Sequence, residues 1–166
     1  MSRLKGMRGF TLVELMITIA LLAIVIGIAV PNFVQFVRNN QVQAKADELT
    51  NFLMYARSQS VVSRQSYTVD FSNASRITLY PPSGSATNPE RQMDVDASRA
   101  AVRRKNVGNT LIFRSNGTVA AAGEVSICFE NDFANGYVVD IQPSGRTLRH
   151  ARGRLSTGAA MTTCTL

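Results

Sequence analysis

The stretch FTLVELMITIALLAIVIGIAV, residues 10–30, runs for 21 residues with one charged side chain, Glu14. As an α-helix it rises about 1.5 Å per residue and spans roughly 31 Å, the depth of a bilayer's hydrocarbon core. A chain carrying such a run is committed to one long apolar helix that must find lipid or other helices around it. The carboxylate is the anomaly. An acid at the centre of a membrane helix costs about 2.5–3.5 kcal/mol, less near an end, so one kept there marks a function and calls for a partner.

The residues before the run are basic: Arg3, Lys5 and Arg8 with no acid among residues 1–9. Basic stretch followed by apolar run is the polarity of an export signal, but a secretory peptidase needs small residues after the run. Here it closes with GIAVPNFVQF. A cut between Gly9 and Phe10 fits better, because it removes the basic leader and keeps the apolar helix.

With that cut, GFTLVELMITIALLAIVIGIAVPNF resembles the N-terminal signature of type IV prepilins and type II secretion pseudopilins. The resemblance implies that a prepilin peptidase cleaves after Gly9 and methylates Phe10. It further implies that Glu14, the fifth mature residue, meets the free amino group of Phe10 on a neighbouring subunit. An α-amino group has a reference pKa of about 7.7–8.0, so it is largely protonated at neutral pH and can neutralise the acid. Pro31 falls where pilins carry a helix-softening proline.

Behind Pro31 the helical pattern continues. Val42, Ala46, Leu49, Leu53 and Ala56 recur every three or four residues, with Arg38, Lys45, Asp47, Glu48 and Arg57 between them, which predicts an amphipathic helix ending near Ser63. Phe52 and Tyr55 beside the stripe read as core. From Gln65 the period becomes two: Tyr67, Val69 and Phe71 alternate with polar residues, NAS turns the chain, and RITLY completes a hairpin. PPSGSATNPE is a loop, and residues 91–108 mix a strand edge with an excursion around AVRRKN. A second sheet region is expected to begin at TLIFRSNGTVA, where Asn116 and Gly117 both tolerate positive φ. EVSICFE and YVVDIQ follow as strands before the turn PSG. The expected fold class is α+β: a long N-terminal helix, membrane-spanning in its first half, packed against an antiparallel β-sheet. The expected divisions are a leader at 1–9, a transmembrane and filament-core half-helix at 10–34, and a globular domain at 35–166.

In the globular part, LIFRSNGTVAAAGEVSICF followed by GYVVDIQPSGRTLR resembles the minor pilins and pseudopilins of the FimT, FimU and GspH group, with Gly117, Gly145 and Arg146 at the matching positions. The resemblance implies a minor pilin that helps initiate or cap a pilus used in motility, adhesion or DNA uptake. The alternatives are an H-type pseudopilin of a type II secretion system and a DNA-binding subunit for natural transformation; a major pilin is the competing subgroup. Implied partners are other major and minor pilins, the prepilin peptidase and an inner-membrane assembly platform. The implied location is a single-pass inner-membrane protein with a periplasmic domain, later built into the filament.

Other chemistry has little support. His150 is the sole histidine and reads as solvated; no nucleophile or paired acid accompanies it, so no enzyme, cofactor or metal is expected. Glu124, Glu130, Asp132 and Asp140 are scattered and read as surface or turn residues. Cys128 and Cys164 are either a disulfide closing 37 residues or two separate thiols. The net charge of +7 sits at the two ends. Residues 141–166 hold Arg146, Arg149, Arg152 and Arg154 without an acid, either a phosphate-binding surface or a charged edge that discourages aggregation. The FimT-like resemblance implies DNA as the partner.

Overall fold

The computed structural model describes residues 10–82 and 88–164. The leader, with Gly9 of the expected cleavage site, lies outside the described residues, as does the middle of the PPSGSATNPE loop. The chain divides into two compact units between Val37 and Arg38. Helix α1 covers Leu12–Ser63, 52 residues, with Pro31 inside it. Proline lacks the N–H that would close a bond to the carbonyl four residues back, which weakens the helix locally. Every residue from Phe10 to Phe36 is exposed, and this part of α1 is long and apolar enough to cross a membrane.

In the second unit the helical stripe becomes the centre of the core. Val42, Ala46, Leu49, Leu53 and Ala56 are all buried, joined by Phe52 and Ser60. Burying a leucine fully contributes about 1.5–3 kcal/mol, so Leu49 and Leu53 alone anchor the helix strongly. Tyr55 packs at the core's margin, its hydroxyl donating to Glu90 Oε1 at 3.1 Å while Arg91 stacks on its ring. The helix ends at Ser63 because Arg64 adopts a positive φ of 55° and the Gln65 N–H turns back to the Ser60 carbonyl at 3.2 Å.

Against α1 pack two four-stranded antiparallel sheets. The strands are β1 (Tyr67–Asn73), β2 (Arg76–Tyr80), β3 (Arg91–Asp94), β4 (Ala101–Lys105), β5 (Thr110–Phe113), β6 (Gly123–Cys128), β7 (Tyr137–Ile141) and β8 (Thr147–Arg149). One sheet has the order β3-β2-β1-β5 and the other β4-β6-β7-β8. The β1–β2 turn forms as expected, with Asn73 Oδ1 accepting from the Ser75 N–H at 2.8 Å.

Two sequence expectations need correction. TLIF does not open the second sheet: β5 pairs with β1 and completes the first, opposing Phe113 to Tyr67 and Leu111 to Val69. This register puts four buried side chains, Tyr67, Val69, Leu111 and Phe113, on one face. The expected hairpin forms on the other side of β5 as a short one: Phe113 bridges Val119, the Arg114 N–H donates to the Thr118 carbonyl at 2.8 Å and the Ala120 N–H to the Ile112 carbonyl at 3.0 Å, and of Asn116 and Gly117 only Gly117 has a positive φ, 77°. The ambiguous stretch 91–108 supplies one strand to each sheet, β3 and β4.

The second sheet is buried on both faces. Val125, Ile127, Tyr137, Val139 and Ile141 belong to the main core. The alternate positions Cys128 and Val138 form a smaller core with Met161 and Cys164, edged by Leu155. The C-terminal segment is thus a strap over the outer face. A disulfide joins Cys128 to Cys164, Cα atoms 6.1 Å apart, and the Ser126 hydroxyl donates to the Cys164 carbonyl at 2.7 Å.

Candidate assembly segment and basic surface

At the start of α1, Thr11 is the residue before the first helical turn and Glu14 is the third residue within it. The Thr11 hydroxyl oxygen accepts the Glu14 N–H at 3.2 Å. Thr-x-x-Glu is the spacing of a capping box, in which the threonine satisfies one orphan N–H and the acid sits favourably at the positive end of the helix dipole. A negative charge near the N-terminus of an apolar helix is therefore accommodated locally as well as open to a partner. Phe10, four positions before this carboxylate, is exposed at 72%.

In the globular unit the matched glycines, far apart in sequence, come together. Gly117 and Gly145 both have positive φ, 77° and 76°, and a Cβ on Gly145 would overlap the Gly117 carbonyl oxygen. Arg57 of α1 clasps this junction, its Nε donating to that same carbonyl at 3.2 Å. The Val119 N–H reaches the Pro143 carbonyl at 3.1 Å, so the two turns are stitched edge to edge. Sequence reading singled out both glycines but not Arg57; the signal available was a basic residue flanking the apolar stripe, which is too common to be diagnostic.

The four C-terminal arginines have different surroundings. Arg146 is exposed in the turn leading to β8. Arg149 forms an ion pair with Asp47 of α1 at 2.7 Å and lies over the Tyr137 ring, 4.9 Å from its centroid. Arg152 is exposed, with Nε donating to the Tyr137 hydroxyl at 3.3 Å, and that hydroxyl is 3.2 Å from Gln43 Oε1. Arg154 is exposed and donates to the Gly158 carbonyl at 3.3 Å. Arg149, also exposed, is thus paired with Asp47, while Arg146, Arg152 and Arg154 face solvent.

His150 departs from the expected solvated state: it is half-buried, and its Nε2 is buried without a hydrogen-bond partner. Its backbone N–H donates to the Val138 carbonyl at 2.9 Å. Two of the scattered acids make structural contacts. Glu124 accepts from the Ser156 hydroxyl and lies 3.9 Å from Lys105 Nζ, tying the strap to β6. Asp132 caps a short 3-10 turn at Phe133–Asn135.

The family described as type II transport protein GspH matches residues 45–145, and the prokaryotic N-terminal methylation motif matches residues 4–30. The type IV minor pilin FimU of Pseudomonas aeruginosa has a similar structure, with a TM-score of 0.63 at 25% identity over 78% of this chain and 98% of that one. The minor pseudopilin EpsH of the Vibrio cholerae type 2 secretion system shares the fold, with a TM-score of 0.50 at 16% identity over 67% of this chain and 97% of that one. The type IV major pilin PilA of Myxococcus xanthus is 43% identical over 68 residues, a match spanning 40% of this chain and 29% of the relative's length.

Proposed function

The chain belongs to the GspH family of type II transport proteins, and from that premise we propose that it is a minor subunit of a type IV pilus. In this reading the prepilin peptidase removes residues 1–9, Phe10 becomes an N-methylated mature terminus, and residues 10–34 hold the protein in the inner membrane until it enters the filament. The domain at 35–166 then helps initiate or cap assembly with other major and minor pilins on an inner-membrane platform. The observation that carries the reading is the joint presence of the methylation motif and a fold that overlays nearly all of the FimU domain. Glu14 is assigned the neighbouring subunit's Phe10 amino group, and Pro31 the local softening that lets the helix fit the filament.

Mass spectrometry of the protein from membranes and from sheared filaments tests this. The expected species begins at N-methylated Phe10 in both fractions; a mature terminus beyond Val30 overturns it. A second reading, an H-type pseudopilin, is favoured by the description of the matching family itself. Deletion followed by separate assays of piliation and of protein secretion distinguishes the two. DNA capture by Arg146, Arg152 and Arg154 is a further role consistent with three outward-facing guanidinium groups, which suit phosphate oxygens.

A further inference from the structure

Between the last turns of α1 and strand β8 runs a groove lined by Met54, Arg57, Val61, Val62, Arg146 and Thr147. We propose that this groove receives an extended segment of a neighbouring filament subunit, added to β8 as a fifth strand of the second sheet. The segment is apolar at alternate positions and acidic where it meets Arg57 and Arg146. That the occupant is a filament neighbour rests on the assembly reading above.

The backbone is prepared for it. β8 is a terminal strand of its sheet. The Gln142 N–H donates to the Arg146 carbonyl at 3.0 Å and the His150 N–H to the Val138 carbonyl at 2.9 Å, so positions 146, 148 and 150 face β7. Antiparallel alternation then turns the N–H and C=O groups of Thr147 and Arg149 to the open side. Edge strands are commonly guarded by a charge or a proline. The one charged side chain within β8, Arg149, is instead folded onto Asp47 and Tyr137.

The side chains agree. The unit beginning at Arg38 has five exposed large hydrophobic residues among those described, and three of them, Met54, Val61 and Val62, line this groove. Val62 is 77% exposed. Thr147 Oγ1 is buried without a hydrogen-bond partner, a polar atom that a strand alongside can satisfy. Two arginines and no acid line the groove, which selects an acidic occupant. A nucleic acid would meet the arginines but leave the methionine, the valines and the strand edge unpaired.

The test uses the isotope-labelled full chain in detergent micelles with three probes: a short capped peptide alternating valine with glutamate, its valine–lysine counterpart, and duplex DNA. The expected result is that the glutamate peptide slows amide exchange at Thr147 and Arg149 by about tenfold or more while the lysine peptide and DNA leave it unchanged. Val62→Glu and Thr147→Pro are each expected to weaken the glutamate peptide by about tenfold or more. The proline removes an outward N–H and no bond to β7. Should it unfold the chain, Val62→Glu carries the test, because an exposed valine can be changed without opening the core. The proposal is overturned if the glutamate peptide protects neither amide, if the lysine peptide or DNA protects them equally, if self-association of the chain protects them first, or if Val62→Glu binds unchanged. Such a failure leaves the pilus reading standing when the mature terminus is still Phe10 and the chain still enters filaments.

Discussion

The proposed pairing of Glu14 with a neighbouring amino terminus can be separated by one substitution from its place in the first helical turn. Its N–H is accepted by the Thr11 hydroxyl oxygen at the spacing of a capping box. Glu14→Gln keeps the capping geometry and removes the charge. We expect it to be cleaved normally and to enter filaments poorly; normal filament incorporation of the glutamine variant, measured by immunoblot of sheared filaments, rules out charge pairing. At the turn junction, Gly145→Ala forces a side chain into φ of 76° and onto the Gly117 carbonyl. The backbone strain alone costs about 1–3 kcal/mol, to be read as a lowered urea midpoint, with Gly108→Ala, where the added Cβ meets nothing closer than 4.0 Å, as the benign control. Asp96 gives a pH marker. The Ser98 hydroxyl donates to its Oδ1 at 2.6 Å and the Ser98 N–H at 3.0 Å, and these bonds hold its carboxyl below the usual carboxylate range. A depressed folded-state pKa means that the unfolded chain binds more protons. The contribution to stability is therefore present above about pH 3.9, the unfolded reference, and is lost as pH falls through the folded value. An NMR titration should place the Asp96 midpoint below about 3.9, and Ser98→Ala should move it upward.

At the scale of elements, α1 changes its task along its length: exposed from Leu12 to Phe36, it carries a buried stripe from Val42 to Ser60. The strap over the second sheet is held by a disulfide at its far end, by the Glu124–Ser156 contact and by Met161, whose N–H reaches the Gly153 carbonyl at 2.8 Å. Chain-entropy estimates for a cross-link of this span give about 3–4 kcal/mol. Reduction, or Cys128→Ser with Cys164→Ser, should lower stability by up to that amount and speed tryptic cleavage after Arg152 and Arg154. Mass spectrometry of timed digests reads this directly. Equal cleavage rates with and without reductant would mean that the small core under the strap holds it unaided.

For the molecule as a whole, the distribution of charge decides how nucleic acid would be met. Four arginines in line suggest four phosphate contacts, but Arg149 is engaged by Asp47. With Arg146, Arg152 and Arg154 remaining, the log–log salt slope on duplex DNA should be about −2.7, from about −0.9 per contact. Changing Arg152 and Arg154 to Gln should remove about two-thirds of it, and Asp47→Asn, which frees Arg149, should steepen it by about 0.9. Arg103 and Arg104 lie on β4, and changing them should leave the slope unaltered. Fluorescence anisotropy across a salt series measures each case; a steep slope lost only with Arg103 and Arg104 places the contact on the wrong strand for this reading.

The long helix, its stripe and its end near Ser63 were legible in the residues alone, because helical periodicity is a local property. So were the apolar N-terminal run and the α+β class, since every apolar alternation outside the helix had a strand to belong to. Which strands became neighbours was settled by packing between distant segments. TLIF joined β1 on one side while keeping a short hairpin with the segment after it, because pairing Leu111 and Phe113 with Val69 and Tyr67 buries a continuous face, and no local pattern encodes that long-range pairing. The same holds for charge and turns. Arg149 and Asp47 are 102 positions apart in sequence and 2.7 Å apart in space, and Gly117 meets Gly145 under Arg57. Composition counts an arginine as a charge, whereas the fold decides whether that charge faces an acid within the domain or the solvent beyond it.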